Sequence, residues 1–207
     1  MMNWVFMTNS LAFSLLLGWI DQGIYQGYLT YAVLRRKYQL RISYENRHRR
    51  AHAFMLRLFA DWRGDVTYDW PFWGHDVAVY NGILERWRVQ DPAVLVPWLL
   101  AACDRHTHEA RRDTEEAAHD FSDYRLMRTP IEILMVLRLR ELLGLQNPVL
   151  EHPLMSAPFD RLPLPRPSLV QDDVMQGTLR RVLEDWPQFD HATALAAVRA
   201  MAAKLSF

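Results

Sequence analysis

A single cysteine, Cys103, among 207 residues leaves no partner for an internal disulfide and fits a reducing compartment. Net charge is missing too. The 24 basic residues cancel the 24 acidic ones, so no global field draws the chain to nucleic acid or anionic lipid. There is no phosphate-binding loop, no dinucleotide glycine fingerprint and no zinc-ligand spacing. No stretch alternates polar and apolar residues as a half-buried strand does, and no segment repeats. The apolar run LAFSLLLGWI (11–20) has no Lys or Arg before it, the first being Arg35. Asp21, Gln22 and Gln26 interrupt it well before the ~20 apolar residues that a membrane span needs. It therefore reads as a buried N-terminal helix rather than an export signal or an anchor, and the chain as cytoplasmic.

What is present is apolar residues at helical spacing. They make up 50% of the chain, enough for a sizeable core, and the length suits one domain. The sequence predicts a single all-α domain over 1–207, a bundle of seven or eight helices. A first helix is expected over Ser10–Lys37 and a second over Arg41–Trp62, where Tyr44, Ala51, Met55, Leu58 and Trp62 share a face. RGDVTYDWP (63–71) supplies turn residues, and a third helix follows over Phe72–Trp87. Asp91-Pro92 reads as a cap followed by an N1 proline. Thr129-Pro130-Ile131-Glu132 reads as a capping box, with Gly144 as the stop of that helix. HPLMSAPFDRLPLPRP (152–167) holds five prolines and is expected to be an extended connection. Helices over Val170–Trp186 and, after an Asp190 cap, Ala192–Leu205 complete the bundle.

Charge is unevenly spread. Arg35 to Arg57 holds seven arginines and one lysine against Glu45 alone, whereas Asp104 to Asp123 holds seven carboxylates against Arg105, Arg111 and Arg112. On a helix over 103–124, Cys103, Thr107, Ala110, Thr114, Ala117, Phe121 and Tyr124 fall in one narrow seam suited to close packing. The carboxylates then form the solvated face, with Arg105–Glu109, Arg111–Glu115 and Arg112–Glu116 at i,i+4, each adding ~0.2–0.5 kcal/mol.

Catalytic patterns are thin. Glu45-x-x-His48 and Glu116-x-x-His119, with Asp21 and Glu85 before them, follow the ligand order of di-iron helical bundles. The seam, however, turns Glu116 and His119 away from the core. His75–Asp76 and His119–Asp120 are two-residue matches to metal-dependent phosphohydrolases and carry little specificity. Cys103 has histidines close in sequence, but His106 sits about 300° around a helix from it and is not an obvious base, so Cys103 reads as a small buried thiol. The basic stretch 35–57 could sit on phosphates, but it reads more simply as a charged helix face whose Arg49 and Arg50 pair with carboxylates elsewhere. YDWPFW (68–73) is either an aromatic anchor in the core or, if exposed, a binding hot spot.

A small helical chain with a WPFW-type turn, a CDRHT helix and an HPLM…P…LP connection resembles the immunity proteins of bacterial polymorphic and type VI secretion toxins. The resemblance implies a non-enzymatic protein with neither cofactor nor metal. It implies stoichiometric binding to a cognate toxin, often a nuclease, whose active or substrate site is occluded. Carboxylates that answer a basic nuclease groove are then the expected contacts: Glu109, Asp113, Glu115, Glu116, Asp120 and Asp123, with Trp70 and Trp73 as aromatic anchors. A di-iron-type metalloenzyme (Glu45/His48, Glu116/His119) and a small nucleic-acid-binding regulator are the alternatives.

Overall fold

Two helices of this protein are buried on nearly every side, and the others are arranged around them. The computed structural model describes residues 3–35, 49–165, 173–187 and 190–203. In chain order the helices are α1 (Trp4–Leu16), α2 (Ile20–Leu34), α3 (Arg50–Arg63), α4 (Ala78–Arg86), α5 (Val96–Glu109), α6 (Ile131–Leu142), α7 (Asp173–Asp185) and α8 (His191–Ala202), with short 3-10 turns at Phe72–Gly74, Pro92–Leu95 and Pro153–Met155. Among the described residues there is no strand, so the protein is all-α.

The buried pair is α3 and α6. In α6 every residue from Ile131 to Arg140 is buried, as an apolar sequence such as IEILMVL requires. The two pack against each other. α1 lies across both and against α2, α4 bridges α3 and α5, α5 closes on α6, and α8 lies on α2. One apolar core runs through them, from Trp4 to Ala202. Close approach is set by small residues: a Cβ on Gly82 of α4 would stand 2.2 Å from the Trp98 ring of α5.

Two buried arginines tie helix ends to the chain. The Arg140 guanidinium donates to the carbonyls of Trp87 (2.6 Å), Val89 (2.9 Å) and Gln146. Those carbonyls lie past the C-termini of α4 and α6, where backbone acceptors lack helical partners. No carboxylate faces it among these bonds, and burial holds its proton affinity below the usual arginine range. Arg138 donates to Leu16 O at the end of α1 (2.8 Å), to Pro163 O in the proline-rich connection and to Glu141. That connection is irregular apart from its 3-10 turn and runs over α6; its last two residues, 166 and 167, lie outside the described residues.

Several expectations are corrected. The predicted Ser10–Lys37 helix is two helices, because the chain turns at Leu17–Trp19, where Gly18 adopts φ +82°. The predicted Phe72–Trp87 helix starts only at Ala78. The predicted start at Arg41 lies outside the described residues, but Arg49 is extended and the helix begins at Arg50. Glu132 forms no capping box: the N-cap of α6 is Pro130, without a side-chain cap, and Glu132 points inward. Other signals hold. Asp91 accepts from Ala93 N–H and Asp190 from Thr193 N–H, and Gly144 ends α6 at φ +71°. Among the described residues no helix is long and apolar enough to cross a membrane.

Candidate functional site

The acidic segment is not a helix. α5 stops at Glu109, and residues 110–130 form a loop of turns that returns the chain to α6. The predicted seam therefore dissolves: Cys103 and Phe121 are buried, but Thr107, Thr114, Ala117 and Tyr124 are exposed. What ended the helix is visible in the partners of its carboxylates.

Asp113 turns toward α3. It accepts from Arg49 (Nη2 at 2.6 Å, Nη1 at 3.2 Å), from the His119 N–H (2.7 Å) and from the Ser122 hydroxyl (3.1 Å). Burial alone would favour its neutral form, but the His119 amide and Arg49 outweigh it and hold the carboxyl below the usual range. Asp120 is buried as well, accepting from Arg105 Nη2 at 3.1 Å and facing the Ala51 amide in the first turn of α3. Arg49, the N-cap residue, makes no side-chain cap bond, so the loop supplies the negative charge that this helix start lacks. Burial nevertheless dominates at Asp120 and raises its pKa to about 6. Glu109 accepts from the His119 ring (3.2 Å) and weakly from the Asp120 amide (3.4 Å). Three of the expected contact carboxylates thus brace the loop from inside, and burial takes Asp120 off the surface.

Glu115 and Glu116 remain exposed. They sit at the tip of the loop, where Thr114 N–H donates to Ala117 O (2.9 Å) and Ala117 N–H donates to Thr114 Oγ1 (3.0 Å). Asp123 pairs with Arg125 at 2.6 Å, a surface contact. The loop is braced at its base and acidic at its tip.

The aromatic turn is anchored. Trp70 is 7% exposed and packs on Tyr68, Trp73 and Trp4 at centroid distances of 4.9, 5.8 and 6.2 Å. Trp73 is half-buried against Trp4, so both expected anchors serve the core; Phe72 alone projects, 80% exposed. Its prominence was not foreseen, because nothing in WPFW says which ring faces out.

The metal-ligand order is not assembled among the described residues. Glu116 is exposed and His119 turns to Glu109, while Glu45 and His48 lie outside the described residues. No group of three His, Cys, Asp or Glu is placed to hold a metal ion among the described residues. Of the basic stretch, Arg36 to His48 also lie outside. Arg49 pairs with Asp113 and Arg50 with Asp76 (2.8 Å), as expected, and Arg57 donates to Gly74 O and Asn81. Cys103 is buried, and burial pushes its thiol up to about 12, far from a reactive thiolate.

The polar pair that sequence reasoning did not bring together is His106 and Glu132, both fully buried. His106 Nδ1 stands 2.9 and 3.1 Å from the two Glu132 oxygens, and its Nε2 donates to Leu126 O at 3.0 Å. Its ring stacks on Phe121, with centroids 3.8 Å apart. His106 joins α5, the acidic loop and α6. No family model matches the chain, and neither the curated proteins nor the solved structures give a match.

Proposed function

We propose that the protein is an immunity-type inhibitor that binds a toxin domain, most simply a nuclease, and neutralises it in the cytoplasm by stoichiometric occlusion. One observation supports this reading above the others: the acidic loop is built as a braced projection. Asp113, Asp120 and Glu109 spend their charge on Arg49, Arg105, His119 and the start of α3, and so hold Glu115 and Glu116 out at the tip. Charge presented on a pre-ordered element loses little freedom on binding and speeds encounter with a basic groove. The contact set narrows accordingly to Glu115 and Glu116, with Asp123 beside them, and the exposed Phe72 replaces Trp70 and Trp73 as the aromatic candidate.

The test needs a toxin domain, sought first in the reading frame adjacent to the gene. Its activity is expected to titrate to zero with a sharp break at one molar ratio, without dependence on incubation time. Glu115→Lys with Glu116→Lys is expected to slow association at least tenfold at low salt while thermal stability holds. Inhibition that grows with time at catalytic amounts overturns the inhibitor reading. Unchanged association kinetics with intact inhibition moves the interface away from this loop.

A further inference from the structure

We propose that one proton held by the buried His106–Glu132 pair latches the acidic loop to the helical core, so that the loop lets go when the proton leaves. Leu126 O can only accept, so Nε2, 3.0 Å away, must carry hydrogen. Nδ1 faces a carboxylate at 2.9 Å, which requires a hydrogen between them, on the ring or on Glu132. Either way the pair holds one proton more than a neutral imidazole beside a carboxylate, and it is the pair that titrates.

When that proton is lost, the ring keeps a single N–H. The carboxylate is the stronger acceptor, so the N–H goes to Glu132 and Nε2 is left with a lone pair facing the Leu126 carbonyl. The bond that breaks is therefore the one to the loop. Leu126 then has no His106 bond, and the stacking of Phe121 on the ring loses its neighbour's hold. The switch sits one turn beyond Cys103 on α5. The other groups of the cluster are Cys103, Tyr80 of α4, and the Arg105–Asp120 pair. Burial keeps the Cys103 thiol and the Tyr80 phenol neutral through the physiological range, so neither supplies a replacement charge. Burial opposes the charge on His106, but Glu132 outweighs it and the affinity for the proton ends above the ordinary histidine value. The latch is thus closed below about pH 6.5 and opens as pH rises through the raised folded value.

The latch does not depend on the docking role of the loop. Two readouts on the full chain test it. Ring-nitrogen NMR of ¹⁵N-histidine protein is expected to show His106 Nε2 protonated at pH 7, changing at more alkaline pH. Hydrogen exchange is expected to show the amides of His119, Leu126 and Met127 losing protection by up to about tenfold per pH unit between about pH 6.5 and that midpoint and levelling off above it, after correction for intrinsic rates, while α6 stays protected. Glu132→Gln removes the charge and offers an amide N–H to Nδ1, so a neutral ring keeps its hydrogen on Nε2: the ring's titration is expected to move to lower pH and the loop's pH-dependent loss of protection to disappear. Nε2 without hydrogen at neutral pH overturns the latch. So does loop protection that is flat through the ring's titration, or α6 opening in parallel with the loop. The wild-type measurements decide the matter even if the variant fails to fold.

Discussion

Removing the carboxylate of Asp113 separates a structural loop from a merely decorated surface. Its side chain is 29% exposed and its Arg49 partner only 5%, so the ion pair sits at the edge of the core. Asp113→Ala deletes bonds from Arg49, His119 N–H and Ser122, and leaves a guanidinium largely buried without its counter-charge. Breaking a fully buried pair from one side costs ~3–5 kcal/mol, and an exposed pair contributes ~0–1 kcal/mol. The partial exposure of Asp113 places this loss at about 2–3 kcal/mol near pH 7. Glu116→Ala, at the exposed tip, is expected to stay within ~0.5 kcal/mol. Asp113 is held below the usual carboxylate range, so its contribution is present above about pH 4 and disappears as pH falls through the folded value. Urea unfolding followed by circular dichroism at pH 7 and pH 3 measures all of this. Two outcomes refute the reasoning: Asp113→Ala within 0.5 kcal/mol of wild type at pH 7, or a deficit that persists undiminished at pH 3.

Other perturbations probe the same architecture. Arg140→Met removes three donors from carbonyls beyond the ends of α4 and α6 and is expected to cost ~3 kcal/mol in chemical denaturation, although none of those three bonds is an ion pair. Gly82→Val drives a side chain into Trp98 and is expected to cost ~1–3 kcal/mol, whereas Ala117→Leu, on the exposed loop, is expected to leave the melting temperature within a degree or so of wild type. Asp120 has its pKa raised to about 6, so the fold favours its neutral form: that contribution is complete below about pH 4 and lost as pH rises through 6. The stability of wild type relative to Asp120→Asn is accordingly expected to fall by on the order of 3 kcal/mol between pH 4 and pH 7, and a flat difference disproves the assignment.

Local chemistry in the sequence settled the class of fold and many of its boundaries. Apolar spacing identified helices without strands. Asp91, Asp190 and Gly144 marked boundaries because their signals act within a few residues of the backbone they satisfy. The pairing of Arg49 and Arg50 with carboxylates also followed from a neutral chain with segregated charge. What failed were inferences in which a local signal met a stronger distant partner. The i,i+4 pairs of 103–124 offered a few tenths of a kcal/mol each to a helix. Arg49, Arg105 and the uncapped start of α3 offered Asp113 and Asp120 more, and the helix ends at Glu109. Glu132 looked like a capping residue by its offset from Thr129, yet a buried histidine from α5 took it. Which carboxylates brace the loop and which two project from it therefore depends on side chains as far as 15 and 64 residues away in the chain, as Arg105–Asp120 and Arg49–Asp113 show. Only tertiary structure brings those partners within bonding distance. Burial then raises the cost of leaving them unpaired above anything that local helix propensity contributes.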